Sequence, residues 1–256
     1  VYRTPDGVDI DGWYYLPPNF DPSKKYPMIV YYYGGTTPLT RSLETVYNLP
    51  MFAAQGYVAF SLNPRGTTGY GQAFAADHLN AWGTKTADDI IGAVKDFVAK
   101  HPFVDGKKIG CTGASYGGFM TQYLQTKTDL FAAAVSHAGI SSISSYWAGG
   151  FWGLGYSTVA SAGSYPWNNP ELYTKHSPLF NADKIHTPLL LLHGTADVNV
   201  PPSESTALYN ALKILGRTVE LVEVTGEDHH IVEPERQERW MKTLQAWFAK
   251  YLQDKP

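Results

Sequence analysis

The chain has 256 residues, of which 44% are hydrophobic and 17% are charged, with a formal net charge of -3 at pH 7. This length and composition predict a folded globular protein with a sizeable core. They exclude a basic field for nucleic acid, and the longest apolar stretch is too short to cross a bilayer.

The one cysteine, Cys111, excludes an internal disulfide but does not place the protein in a compartment. Because the chain begins with Val1, we expect a mature form or an excised fragment, in which an original targeting segment would be missing. Cytoplasmic, periplasmic and secreted locations all stay open.

The first predicted elements are strands with a helix between them. Residues 7–18 alternate well enough for an antiparallel strand or hairpin that ends at two prolines. The apolar run 26–35 predicts a strand buried on both faces, and 56–66 predicts another. Between these two, the second half of 43–56 predicts a helix.

The middle of the chain continues this alternation. Residues 86–102 have one apolar face and predict a helix, with Asp88 and Asp89 suited to its first turn. The apolar runs 107–113 and 131–139 then predict two more strands.

The last third contains an unusual segment and then regular elements. Residues 141–181, rich in Ser, Gly and aromatic residues and broken by prolines, predict an irregular excursion of the kind that often carries function. The runs 187–194 and 218–224 predict strands, while 203–216 and 234–252 predict helices. Strands alternating with helices predict an α/β fold with a mostly parallel central sheet and helices on both faces.

The segment "CTGASYGGFM", residues 111–120, places one serine between glycines directly after a predicted strand. Gly113, Ser115 and Gly117 fit the G-x-S-x-G pattern, in which a tight strand-to-helix turn exposes a nucleophilic serine. Glycines are needed there because strand and helix pack closely. Ordinary loops also match the pattern, so further residues must support it.

Polar side chains follow three of the predicted strands at their carboxyl ends, where an open parallel sheet binds ligands. Ser115, Asp197 and His229 come in the order nucleophile, acid and base, which is the chain order of α/β-hydrolase triads. In such a triad the histidine takes the serine proton and the aspartate fixes its tautomer. His230 competes with His229 as the base, because spacing does not choose between neighbours in a loop.

A metal site is the competing hypothesis for "EDHHIVE", residues 227–233, which includes three carboxylates and two histidines. Consecutive loop residues rarely converge on one ion, and an H-E-x-x-H spacing is absent. We therefore prefer the triad and expect no metal and no cofactor. Three other histidines are interpreted as strand-end or loop residues, namely His137, His186 and His193.

An acyl-transfer site also needs donors for the oxyanion of the tetrahedral intermediate. The backbone N–H of Tyr116, directly after the serine, is the expected first donor, and the second comes from the loop "YYYGGT" after an earlier strand. Tyr31 and Tyr32 fit packing within that strand. Tyr33 directly precedes the glycines and could aim its hydroxyl into the site.

Four motifs together, "NPRGTTGYGQAF", "GASYGGFM", "HGTADVNVP" and "EDHHI", resemble the catalytic domain of the prolyl oligopeptidase family, closest to its dipeptidyl peptidase IV and acylaminoacyl peptidase branches. The resemblance covers essentially the whole chain. It implies a triad of Ser115, Asp197 and His229, and an oxyanion hole that uses the Tyr33 hydroxyl.

The resemblance also implies a pocket for the residue before the scissile bond, lined by Tyr146, Asn199 and Val200. A second tyrosine of the dipeptidyl pattern falls near Gly150, so a proline preference is in doubt. Family members usually carry an N-terminal β-propeller, for which this chain has no room. We expect residues 1–256 to be a single α/β-hydrolase peptidase domain of a longer protein.

The expected function is hydrolysis of peptide bonds in short peptides through an acyl-enzyme. Two rivals stay open. The same triad serves carboxylesterases that act on small acyl esters, and an idle α/β-hydrolase domain could serve for binding alone. The oligomeric state is also open, and a homo-oligomer is among the alternatives.

Overall fold

The computed structural model of the chain describes residues 1–33, 36–41 and 47–255, and these residues form an eight-stranded sheet. The strands are β1 (Tyr2–Arg3), β2 (Asp9–Tyr15), β3 (Tyr26–Tyr31), β4 (Val58–Asn63), β5 (Val104–Ala114), β6 (Ala133–His137), β7 (Leu189–Gly194) and β8 (Val219–Val224).

The strands lie in the order β1-β2-β4-β3-β5-β6-β7-β8. β2 pairs antiparallel with β1 and β4, and all the pairs from β4 across to β8 are parallel. The mostly parallel sheet predicted from the sequence is therefore confirmed. The chain leaves β3 in one direction along the sheet toward β4 and returns on its other side to β5, so the carboxyl ends of β3 and β5 border a topological switch point, the usual ligand position in such sheets.

Ten helical segments connect or flank the strands in the described part of the chain, none of them long and apolar enough to span a membrane. They are α1 (Leu49–Ala54), α2 (Gln72–Ala76), α3 (Thr84–Lys100), α4 (Tyr116–Gln125), α5 (Ile143–Gly149), α6 (Gly153–Ala160), α7 (Pro170–Lys175), a 3-10 helix (Leu179–Lys184), α8 (Ser203–Ile214) and α9 (Pro234–Leu252).

Helices cover both faces of the sheet, as predicted. Alternate strand residues point to opposite faces: Leu189 and Leu191 of β7 join a core with α3, α4 and α8, whereas Leu190 and Leu192 join a second core with α1 and α9. Strands buried on both faces need apolar residues at every position, which explains the continuous apolar runs in the sequence.

The excursion over residues 141–181 differs from the irregular segment that the sequence predicts. It contains α5, α6, α7 and the start of the 3-10 helix, and α8 packs against the 3-10 helix. The helices are short, and helices of this length depend on packing against neighbours rather than on intrinsic propensity. The Ser, Gly and Pro content of the segment therefore concealed them.

A buried ion pair holds the loop after β4. The Arg65 guanidinium donates to Asp89 of α3 with an Nη2–Oδ1 distance of 2.7 Å, and the Arg65 backbone N–H donates to Oδ2 of the same carboxylate at 2.8 Å. The side chains of Arg65 and Asp89 are 7% and 1% exposed, whereas Asp6, the second carboxylate on Arg65, is 58% exposed. The sequence placed Asp88 and Asp89 in the first turn of the helix, which is wrong, because α3 begins at Thr84 and has no acidic residue in its first turn.

We expect Asp89→Ala to lower the free energy of unfolding by about 3–5 kcal/mol, because it leaves the Arg65 charge buried without its main partner. Urea denaturation followed by circular dichroism measures the change. Asp6→Ala removes the exposed partner of the same arginine and should cost much less. Equal losses in the two variants would contradict the dominant role of the buried pair.

Candidate active site

The turn between β5 and α4 holds Ser115 in the conformation that the G-x-S-x-G pattern predicts. Ser115 has φ 56° and ψ -118°, a backbone conformation that residues with a side chain rarely adopt. A Cβ on Gly113 would lie 2.7 Å from the Gly117 carbonyl oxygen, and one on Gly117 would lie 2.4 Å from that of Tyr33. Both positions therefore require glycine.

Backbone groups fix the serine at the start of α4. The Ser115 N–H donates to the carbonyl oxygen of His137, at the end of the neighbouring strand β6, at 2.9 Å. Tyr116 is the first residue of α4, and the first N–H groups of a helix have no partner within the helix. The turn thus provides backbone donors next to a partly exposed hydroxyl.

Asp197 lies buried in the loop after β7, with its carboxylate surrounded by donors. Oδ1 accepts the backbone N–H groups of Asn199 and Val200, each at 2.9 Å, and Oδ2 accepts His229 Nδ1–H at 2.8 Å. Burial alone would raise the pKa of Asp197, but hydrogen bonds from His193 and His229 and the charge interaction with His229 hold that pKa well below its usual range. The carboxylate is therefore ionised at neutral pH.

His229 and His230 differ in both contacts and exposure. His229 carries the hydrogen bond to Asp197, and its side chain is 11% exposed, whereas His230 is exposed. In the described part of the chain, the Ser115 hydroxyl is hydrogen-bonded to neither histidine. Hydrogen bonds of this kind often form only when a substrate is bound. The contact with Asp197 favours His229 as the base.

The acidic residues of "EDHHIVE" have structural partners that shape the loop. Glu227 accepts the Val232 backbone N–H at 2.7 Å and pairs with Arg236 at 2.9 Å. Asp228 accepts the backbone N–H of the next residue at 2.7 Å, and Glu233 caps the start of α9. These carboxylates thus hold the loop that presents His229.

Tyr33 lies close to the serine turn but is buried. Its hydroxyl donates to the Arg65 carbonyl at 3.5 Å, and its ring stacks on that of Tyr116 with centroids 5.7 Å apart. Burial raises the pKa of Tyr33 well above its usual range, so the hydroxyl keeps its proton. Residues 34 and 35, the rest of the predicted oxyanion loop, lie outside the described residues.

The predicted pocket residues lie on adjoining segments. A Cβ on Gly150 would lie 2.8 Å from the Tyr146 ring and 2.9 Å from the Asn199 carbonyl oxygen, so α5 and the loop after Asp197 are in contact there. Burial, followed by the charges of Asp197 and Glu204, raises the pKa of Tyr146 to about 12. Val200 is also buried. The second tyrosine of the dipeptidyl pattern has no room at this point.

Sequence reasoning missed three buried residues that support the site. His193 lies 3.2 Å from Asp197 Oδ2, and Ser205 lies 2.7 Å from the other ring nitrogen of His193. Glu204 accepts the backbone N–H groups of Ser141 and Ser142, at 2.9 and 2.8 Å, at the start of α5. The position of His193 at a strand end, four residues before Asp197, was the one available signal.

The fold and the serine, aspartate and histidine at its carboxyl edge define an α/β-hydrolase. Residues 43–255 match the model of the prolyl oligopeptidase family. The chain is 33% identical to the uncharacterized peptidase YuxL of Bacillus subtilis, over 98% of this chain and 38% of that protein. It is 32% identical to dipeptidyl-peptidase 5 of Schizosaccharomyces pombe, over 97% and 36%.

A solved structure of Pyrococcus horikoshii acylaminoacyl peptidase superposes with a TM-score of 0.92, at 32% identity, covering all of this chain and 41% of that one. The chain therefore belongs to the prolyl oligopeptidase family of serine peptidases, as the resemblance implied. It spans less than half the length of these relatives.

Acid should destabilise the protein through His137, which lies beside the site. Burial first, and then the charges of the neighbouring His229 and His193, lower the pKa of His137 to about 3. An unfolded histidine titrates near pH 6.5, so between about pH 3 and 6.5 the unfolded state binds a proton that the folded state does not. Stability contributed by neutral His137 is therefore lost as pH falls below 6.5, by about 1.4 kcal/mol per pH unit.

Urea denaturation at pH 6.5 and 5.5 measures this dependence. The His137→Gln variant should lose less stability than the wild-type protein over that interval. His186→Gln replaces an exposed histidine and should leave the dependence unchanged. Parallel stability curves for the wild-type protein and His137→Gln would contradict the assignment.

Proposed function

We propose that this chain hydrolyses peptide bonds of short peptides, with Ser115 as nucleophile, His229 as general base and Asp197 as its orienting acid. The observation that carries the proposal is the 2.8 Å hydrogen bond between Asp197 Oδ2 and His229 Nδ1 at the sheet edge that also presents Ser115. Membership of the prolyl oligopeptidase family supports it.

The chemistry follows from which proton each group can hold. With Nδ1–H bound to Asp197, the Nε2 atom of His229 is free to accept the Ser115 proton as the hydroxyl oxygen attacks the substrate carbonyl. The Asp197 carboxylate stabilises the imidazolium formed in this step. His229 then returns the proton to the departing amine, and it later activates the water that hydrolyses the acyl-enzyme.

The oxyanion needs two donors, and we assign the Tyr116 backbone N–H as the first and the Tyr33 hydroxyl as the second. In this role the Tyr33 hydroxyl would exchange its 3.5 Å contact with the Arg65 carbonyl, which is a weak hydrogen bond, for one to the oxyanion. The Arg65 carbonyl would keep a better donor, the Thr86 hydroxyl, at 2.9 Å.

The substrate is proposed to be a short peptide whose residue before the scissile bond is received by Tyr146, Asn199 and Val200. The names of the relatives indicate different peptide substrates: one is a dipeptidyl-peptidase and another is an acylaminoacyl peptidase. We propose that a β-propeller of the kind expected from the family resemblance would contribute to this substrate choice. The test compares peptides with a free amino terminus, peptides with an acylated amino terminus and longer peptides that are cleaved internally. Small acyl esters, tested beside them, would separate these peptidase activities from that of a carboxylesterase.

We expect a fluorophosphonate, which traps activated serines, to label the chain once, at Ser115, as measured by intact mass and peptide mapping. Ser115→Ala should abolish labelling and cut turnover by about a million-fold, the scale for loss of a triad nucleophile. Well-folded protein that takes no label would contradict the proposal and favour a binding domain.

The adjacent histidines provide a matched pair for testing the base. His229→Ala should remove the rise of kcat/KM with pH and nearly all activity, because it deletes the group that accepts the serine proton. His230→Ala should keep both the pH profile and the rate. The reverse result would assign the base to His230.

Tyr33→Phe should lower kcat by about a hundred- to a thousand-fold, because it removes one oxyanion donor and keeps the ring. Tyr31→Phe changes the last residue of β3 and is the control, which should have little effect. Steady-state kinetics on the best peptide of the panel measure both. An unaffected Tyr33→Phe enzyme would remove Tyr33 from the mechanism.

A further inference from the structure

His193 is a fully buried histidine beside the proposed acid. It ends β7 together with Gly194, and its Nε2 atom lies 2.8 Å from the Val200 carbonyl oxygen and 3.2 Å from Asp197 Oδ2. Its Nδ1 atom lies 2.7 Å from the hydroxyl oxygen of Ser205, in the first turn of α8. Both ring nitrogens are thus occupied inside the protein.

These partners determine where the ring carries its proton. A carboxylate oxygen and a carbonyl oxygen can only accept hydrogen bonds, so the Nε2 atom of His193 must be the protonated one. In the neutral ring Nδ1 is then an acceptor, and the Ser205 hydroxyl donates to it. The two acceptors at Nε2 therefore fix the tautomer, and Ser205 satisfies the remaining ring nitrogen and holds the ring in this orientation.

The His193 donor completes the set of donors around Asp197. Two backbone N–H groups hold Oδ1, while His229 and His193 both face Oδ2. The contact of His193 at Oδ2 adds to these restraints against rotation about the Cβ–Cγ bond and helps to keep this oxygen directed at His229.

His193 also closes the turn on which Asp197 lies. Its hydrogen bond to the Val200 carbonyl joins the end of β7 to residues 197–200, across the segment in which Asp197 Oδ1 accepts the Val200 N–H. All of these groups are buried, so water does not compete for them. The ring thus acts on the aspartate directly and through its backbone.

We propose that His193, oriented by Ser205, is a positioning residue that holds Asp197 in the geometry needed to orient His229. The proposal rests on the triad proposed above. His193 is not placed against the substrate, so it acts on the rate only through Asp197.

The test uses the full chain and a fluorophosphonate, with the maximal inactivation rate and the half-saturating concentration measured separately. His193→Ala should lower the maximal rate by about tenfold to a hundredfold, because it removes both the 3.2 Å contact with the Asp197 carboxylate and the hydrogen bond to the Val200 carbonyl, with little change in half-saturation. Ser205→Ala should lower the rate less, because the imidazole remains. His193→Gln, whose amide keeps a donor, should recover part of the loss.

A double-mutant cycle separates positioning from a general structural effect. In an Asp197→Ala background, followed by intact mass over long incubations, His193→Ala should have no further effect if it acts through the aspartate. His186→Ala, at an exposed histidine before β7, is the matched control and should label like the wild-type protein. If His193→Ala fails to fold, Ser205→Ala and His193→Gln answer the same question.

Three results would overturn the inference: an unchanged rate in folded variants, a loss that persists in the Asp197→Ala background, or a change confined to half-saturation. Failure of the proposed function is recognisable separately. In that case the wild-type protein takes no label at Ser115, or His229→Ala leaves labelling intact.

Discussion

Parallel strand pairing is the constraint that brings the distant residues of this site together. Ala114 of β5 pairs with His137 of β6, His137 pairs with Leu192 of β7, and Gly194 of β7 pairs with Val224 of β8. Because these strands end in nearly the same register, the loops after β5, β7 and β8 leave the sheet at one edge. Residues more than a hundred positions apart in the sequence therefore share one surface.

Backbone contacts at the serine turn depend on the same sheet. A Cβ on Gly118 would lie 2.5 Å from the His137 carbonyl oxygen, so α4 rests directly on the end of β6. Such close packing stabilises the positive φ of Ser115, which would cost free energy in an isolated peptide. The hydrogen bond from the Ser115 N–H to His137 adds to it. The strained serine is thus maintained by two neighbouring strands and a helix.

The sequence was sufficient to predict the features that depend on a local pattern of residues. Apolar runs gave the strands of the parallel sheet, and the residues after those runs gave Ser115, Asp197 and His229 as candidates. The contact between Asp197 and His229 could be expected because both follow neighbouring strands. The short helices within 141–181 could not, since packing rather than local pattern stabilises them.

The sequence could not predict the long-range partners of buried polar residues either. The sequence predicted Asp89 in the first turn of its helix, whereas α3 begins at Thr84 and the fold places Asp89 in the second turn, against Arg65. His193 resembles many strand-end histidines until α8 brings Ser205 to its ring. A polar residue in the sequence carries no sign of whether its partner is protein or water, so such contacts depend on three-dimensional packing.

The first turn of α8 joins the two halves of the proposed site. Ser205 contacts His193 and so the Asp197 side, while the adjacent Glu204 accepts N–H groups at the start of α5, which carries Tyr146. Successive helix residues point about 100° apart, so one turn can support two different segments. A shift of α8 would therefore disturb the acid and the pocket together. The geometry of the proposed triad and that of the proposed pocket therefore depend on the same few buried hydrogen bonds.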